Sequence, residues 1–110
     1  MALYTEKPVY PTDALRMHQQ GVAVVQVSLT ELGIPRRIEL LQAPSRQIGL
    51  SVIEAVKHWR FVKTVDPQTG ERAWFSGALT FYFVIKDKQG LVLYPSDAGY
   101  VGILPETIGG

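Results

Sequence analysis

Apolar and polar positions alternate most cleanly over residues 21–29. Ala23, Val25, Val27 and Leu29 share one face of a strand there, and Val22, Val24, Gln26 and Ser28 share the other. Successive strand side chains point to opposite faces. The second set turns polar along its length, so the first set is the predicted core face. Thr30-Glu31-Leu32-Gly33 reads as a turn in which glycine can take positive φ. A second strand is predicted over residues 36–43, with Ile38 and Leu40 opposite Arg37 and Glu39. Pro35 at its start removes only one donor. The two strands form a predicted hairpin.

Helical periodicity takes over after Ala43-Pro44-Ser45. Val52, Ile53, Val56 and Trp59 recur at three- and four-residue steps, with Ser51, Glu54 and Lys57 towards water. This predicts a helix from a Ser45 cap to about Trp59. Gly49 weakens its first turn by roughly 1 kcal/mol relative to alanine. A shorter helix is predicted from a Thr12 or Asp13 cap to Gln20, stopped by Gly21. Residues 1–9 carry no periodicity and read as an extended lead-in. The longest predicted strand covers residues 73–85 after the turn formers Asp66-Pro67-Gln68-Thr69-Gly70. Phe75, Leu79, Phe81, Phe83 and Ile85 lie on one face; Trp74, Ser76, Ala78, Thr80, Tyr82 and Val84 lie on the other. Both faces carry apolar atoms, so this strand touches more than one surface. Asp87-Lys88-Gln89-Gly90 is a hairpin-type turn, residues 91–94 a short fourth strand, and the chain from Pro95 irregular. A hairpin, helices and a further strand make an α+β fold: a small antiparallel sheet of three to four strands packed against two helices. Val25, Val27, Ile38, Val52, Val56, Trp59, Phe81 and Phe83 are the predicted core.

Composition narrows the function. The 110 residues point to one domain. With a net charge of +1 and no basic stripe, nucleic acid is not an expected partner. There is no cysteine, hence no disulfide and no thiolate metal site. No window approaches the ~20 apolar residues of a membrane helix, and the first residues do not read as a signal peptide.

Candidate chemistry is sparse. His18 and His58 are the only histidines, and no Asp/Glu cluster lies near either at ligand spacing. Glu31, Glu39, Glu54 and Asp66 are scattered, and no nucleophile motif or phosphate-cradling loop occurs. The expectation is no enzyme, no metal and no cofactor. Charge and aromatics mix in His58-Trp59-Arg60-Phe61. There Trp59 anchors a helix end in the core, while Lys57 and Arg60 face the negative end of the helix dipole.

These punctuated elements resemble the C-terminal domain of the TonB energy-transducer family. Pro8-Val9-Tyr10-Pro11 resembles the family's Pro-x-Tyr-Pro, followed by Ala14-Leu15-Arg16. Gly21 precedes the valine strand, and Gly33 sits at the hairpin glycine. Ala55-Val56-Lys57-His58-Trp59-Arg60-Phe61 resembles the motif that closes the second helix. Gly70 sits in the following loop, and Leu79-Thr80-Phe81-Tyr82-Phe83 resembles the closing strand. Lys7 stands where well-known members have glutamine, Lys63 stands where proline is frequent, and the tail past Ile85 is longer. The resemblance divides the chain into a lead-in (1–7), a TonB C-terminal-like domain (8–86) and an extension (87–110).

What the resemblance implies is a periplasmic receptor-binding domain. It would bind the TonB box of TonB-dependent outer-membrane transporters by β-strand addition along the last strand. An upstream anchor would reach inner-membrane motor proteins and the proton gradient. The partner-binding residues it implies are Pro8, Tyr10, Pro11, Trp74, Ser76, Ala78, Thr80 and Tyr82. The alternative is a TonB-like structural or dimerisation module of the envelope without receptor coupling. A last strand at a sheet edge offers unpaired backbone groups to a peptide or to a second copy. Residues 91–94 could fold back there as an internal mimic of the peptide.

Overall fold

The computed structural model describes residues 2–62, 68, 75–96 and 99–101. The elements run β1 (Ala2–Tyr4), α1 (Thr12–Arg16), β2 (Gly21–Leu29), β3 (Pro35–Gln42), α2 (Arg46–Val56), β4 (Arg60–Phe61), β5 (Phe75–Lys86), β6 (Gln89–Ser96) and β7 (Gly99–Val101). One sheet has the order β3-β2-β5-β6-β7, with every neighbouring pair antiparallel. β1 and β4 form a separate two-stranded ribbon. The expected α+β architecture is therefore present, with β7 as a further short strand.

The alternation of β2 decides which face is dry. Ala23, Val25, Val27 and Leu29 are all buried. Trp59, Phe81, Phe83, Val52 and Val56 join them in one cluster, with Ile38 packed against it. α2 begins where Ser45 Oγ accepts the Ile48 N–H at 3.2 Å, one of the orphan donors of a first turn. Its last turn tightens to three-residue bonds, His58 N–H to Ala55 O and Trp59 N–H to Val56 O, each 3.0 Å. That tightening swings Trp59 inward, where it is 1% exposed. Arg60 Nη1 donates to the freed carbonyls of Lys57 (3.1 Å) and Trp59 (2.6 Å).

Several boundaries differ from the sequence reading. α1 ends at Arg16, well before Gln20. His18 takes φ 57°, and its N–H reaches Leu15 O while Gln19 N–H reaches Ala14 O. This left-handed cap closes the helix before Gly21 is reached. Neither Thr12 nor Asp13 caps it: the N-cap is Pro11, with no side-chain bond. The lead-in is not merely extended, because Ala2–Tyr4 pairs with β4 and Ala2 is buried. The chain from Pro95 is not wholly irregular, since β6 runs to Ser96 and Gly99–Val101 pairs back onto it. The β5–β6 turn shortens to Asp87 and Lys88, both at positive φ, the backbone of a two-residue hairpin whose twist matches its strands.

Gly33 combines two roles. It has φ +83°, as the turn requires, and a Cβ there would lie 1.9 Å from Phe61 O. Phe61 N–H donates to its carbonyl at 2.9 Å. The hairpin loop is thus docked on β4 through a glycine that no larger residue can replace.

Two outcomes follow for stability. Trp59→Ala is expected to cost about 3–5 kcal/mol in urea unfolding. An unchanged midpoint contradicts its role as core anchor. Gly33→Ala is expected to lower the melting temperature while Lys88→Gly, at an exposed positive-φ site, raises it by a few degrees. Equal melting temperatures for the two variants contradict this reading.

Candidate functional site

β5 is not a simple edge strand. On one side it pairs with β2 from Phe75↔Leu29 to Phe83↔Gly21. On the other it pairs with β6 only from Tyr82↔Leu93 to Lys86↔Gln89. β6 then turns its pairing to β7, from Tyr94↔Val101 to Ser96↔Gly99. Among the described residues, no strand pairs with residues 75–81 on the side away from β2. Among those residues half of β5 lies at an edge, and β6 covers the other half.

The sheet's other edge is built differently. β3 starts with Pro35, carries Arg36, Arg37 and Glu39, and has register shifts at both ends of its pairing with β2. Proline, charge and bulges each discourage an added strand. Residues 75–81, Phe-Ser-Gly-Ala-Leu-Thr-Phe, have no charge and no proline. One edge is protected by chemistry, and the other has no strand partner among the described residues along seven uncharged positions.

Each expected partner-binding residue has a definite place, apart from Trp74, which lies outside the described residues. Ser76 and Ala78 are exposed, and Thr80 and Tyr82 are half-buried. All four sit on the helix-free face beside Ser28, Gln26, Val24 and Val22 of β2. Ser76 Oγ accepts from Gln26 Nε2 at 2.8 Å and lies 3.4 Å from Ser28 Oγ. That polar ladder ties the open half of β5 to β2 and keeps it extended. Leu79 packs towards the core on the opposite face.

Pro8, Tyr10 and Pro11 lie elsewhere. Pro8 is fully buried, and Pro11 is half-buried at the α1 N-cap. Tyr10 lies edge-on to Phe83, centroids 5.3 Å apart, and its hydroxyl donates to Gln19 O. The lead-in is fastened further by Trp59 Nε1 donating to Glu6 O (2.9 Å), Ser51 Oγ donating to Val9 O (2.5 Å) and His58 Nδ1 lying 3.0 Å from Glu6 Oε2. Gln20, which sequence reasoning passed over, accepts the Ile85 N–H through Oε1 at 2.9 Å. A glutamine before a strand carries no signal for such a long-range bond. Among the described residues, no group of three or more His, Cys, Asp or Glu side chains could hold a metal.

A family model described as the Gram-negative bacterial TonB protein C-terminal matches residues 6–85. Protein tonB2 of Pseudomonas aeruginosa is 28% identical over 80 residues, covering 72% of this chain and 30% of that protein. The chain thus spans under a third of that relative's length. The solution NMR structure of the Pseudomonas aeruginosa TonB C-terminal domain is similar with a TM-score of 0.64 at 27% identity. The match covers 81% of this chain and 89% of that one.

Burial raises the Tyr10 hydroxyl above its ordinary pKa of 10.0 by penalising the phenolate. A raised folded-state value means that the fold holds this proton more tightly than the unfolded chain. The associated stability is complete below the unfolded pKa and is lost as pH rises through the folded one. Tyrosinate absorbance should show a late component that Tyr10→Phe removes. Its persistence in Tyr10→Phe assigns it to another tyrosine.

Proposed function

The chain belongs to the Gram-negative bacterial TonB C-terminal family, and from that premise we propose that it is the receptor-binding domain of a periplasmic energy transducer. It captures the TonB box of a TonB-dependent outer-membrane transporter as an added strand on β5. An upstream segment tethers it to inner-membrane motor proteins and brings force derived from the proton gradient. It needs no cofactor and performs no catalysis.

One observation carries this reading: the half-edge of β5 at residues 75–81 is uncharged, already extended and without a strand partner among the described residues, whereas β3 is guarded. An added strand satisfies the unpaired N–H and C=O groups of that edge, so backbone pairing supplies affinity. Side chains of the incoming strand alternate between two environments. One lines up with Ser76, Ala78, Thr80 and Tyr82 on the helix-free face. The other meets the aromatic end of the core, where Trp59, Phe61 and Tyr94 lie together. Pro8, Tyr10 and Pro11 act by positioning the lead-in and α1.

β6 acts as an internal mimic of the peptide over residues 82–86. It is more than a placeholder, because Val92 is buried and Tyr94 packs on Trp59 at 6.3 Å between centroids. A receptor strand therefore starts on the open half and extends by displacing β6. An unoccupied edge can also pair with its twin, which makes a homodimer the competing state.

The test is calorimetric titration of the chain with a synthetic TonB-box peptide and with the same peptide N-methylated at two alternate residues. Each backbone bond is worth about 1 kcal/mol net, so two lost bonds are expected to weaken binding about 30-fold. Equal affinity for the two peptides rules out strand addition. No binding of either, with a dimer in sedimentation, supports the dimerisation module instead.

A further inference from the structure

Three separate stretches of chain meet at Tyr10. Its ring lies at 70° to Phe83 of β5. The same ring lies against Gly90, the second residue of β6 and the partner of Ile85. A Cβ built on Gly90 would sit 2.6 Å from Tyr10 Cδ2 and 2.8 Å from Cγ. Gly90 therefore admits the ring only because it lacks a side chain. The hydroxyl, bonded to Gln19 O, fixes the ring from its far end. The next residue, Gln20, holds the Ile85 N–H. Tyr10 is thus a shared support for the end of the lead-in and the start of β6.

The lead-in reaches Tyr10 through fastenings in series. Ala2 is buried opposite Phe61. The Glu6 carbonyl holds the Trp59 indole, and the Val9 carbonyl accepts from Ser51. Each fastening is one or two bonds, individually weak in water. A chain pulled from its N-terminal side loads such fastenings one after another, and Tyr10 comes last.

We propose that Tyr10 is a latch coupling the lead-in to β6. Seated, it holds both against the domain. Withdrawn, it frees both, and the covered half of the β5 edge, residues 82–86, opens. Traction on the lead-in then widens the edge from its open half to its full length. That last consequence rests on the receptor-capture reading; the coupling between lead-in and β6 stands apart from it. Coupling of this kind is reciprocal. Removing Tyr10 must loosen β6, and evicting β6 must loosen the lead-in.

The experiment is amide and indole hydrogen exchange by NMR on the full chain, with no peptide present. In Tyr10→Ala, the amides of β6 are expected to exchange on the order of tenfold faster, while those of β2 stay close to wild type. Tyr10→Phe keeps the ring, and β6 protection is expected to remain. In Gly90→Val the new side chain collides with the Tyr10 ring. The Trp59 indole N–H, held by Glu6 O, is then expected to exchange on the order of tenfold faster. If Tyr10→Ala does not fold, the milder Gly90→Ala and Gly90→Val are read alone by their Trp59 indole. Unchanged β6 exchange in Tyr10→Ala overturns the latch. So does an equal acceleration of β2 and β6, or unchanged indole exchange in folded Gly90→Val. A failed peptide titration leaves this result untouched, so the two readings fail separately.

Discussion

The buried indole of Trp59 ties the parts of this domain to one another. Its ring lies 5.8 Å from Phe81, 5.9 Å from Phe61 and 6.3 Å from Tyr94 between centroids. It therefore touches the central strand, the ribbon and β6 at once. Its one donor must also be answered. A buried N–H without an acceptor costs about 1–3 kcal/mol, and the acceptor is the Glu6 carbonyl of the lead-in. The lead-in is held because the core residue needs it. The helix end, the ribbon, β6 and the lead-in are thus positioned by one side chain.

From that anchor follows the asymmetry of the sheet. β5 is fixed by β2 along nine registered pairs, so it stays extended whether or not its other side is occupied. β6 follows it only as far as Tyr82 before its pairing passes to β7. The stretch left without a strand partner among the described residues is short and uncharged. An open strand edge is ordinarily a hazard, which proteins blunt with proline, charge and bulges. β3 has all three. That β5 has neither proline nor charge over residues 75–81 is physically consistent with an edge kept for pairing.

Local pattern made much of this legible. The two-residue period of β2 gave its boundaries and buried face, and the spacing of Val52, Val56 and Trp59 gave the core stripe of α2. Readings failed where the decisive partner was distant. β1 is three residues long and exists because Phe61 and Arg60 lie beside it. α1 stops early because a histidine, with no glycine's freedom, adopts the left-handed cap. Gly49 read as a weak helix start, yet it lies against β3, where a Cβ would come 2.5 Å from Leu40 Cδ2, a contact that no local pattern records. The likeness of Pro8, Tyr10 and Pro11 to a family motif suggested partner contact; in the fold Pro8 is buried, and Tyr10 and Pro11 are half-buried. The division of β5 into a paired and an open half depends on where β6 parts from it, which no local pattern records.

The central claim is that a receptor strand lies along β5 and not along β3. The chain has no cysteine, so single cysteines can be placed without background. Disulfide trapping of a cysteine-bearing TonB-box peptide should be compared at Ser76, Gly77, Ala78, Leu79 and Thr80 of β5 and at Arg37 and Glu39 of β3. The account predicts efficient trapping on β5 that alternates along the strand with a period of two, as side chains turn to one face and then the other. It predicts little on β3. Trapping that favours β3, or that is uniform along both strands, contradicts strand addition at β5.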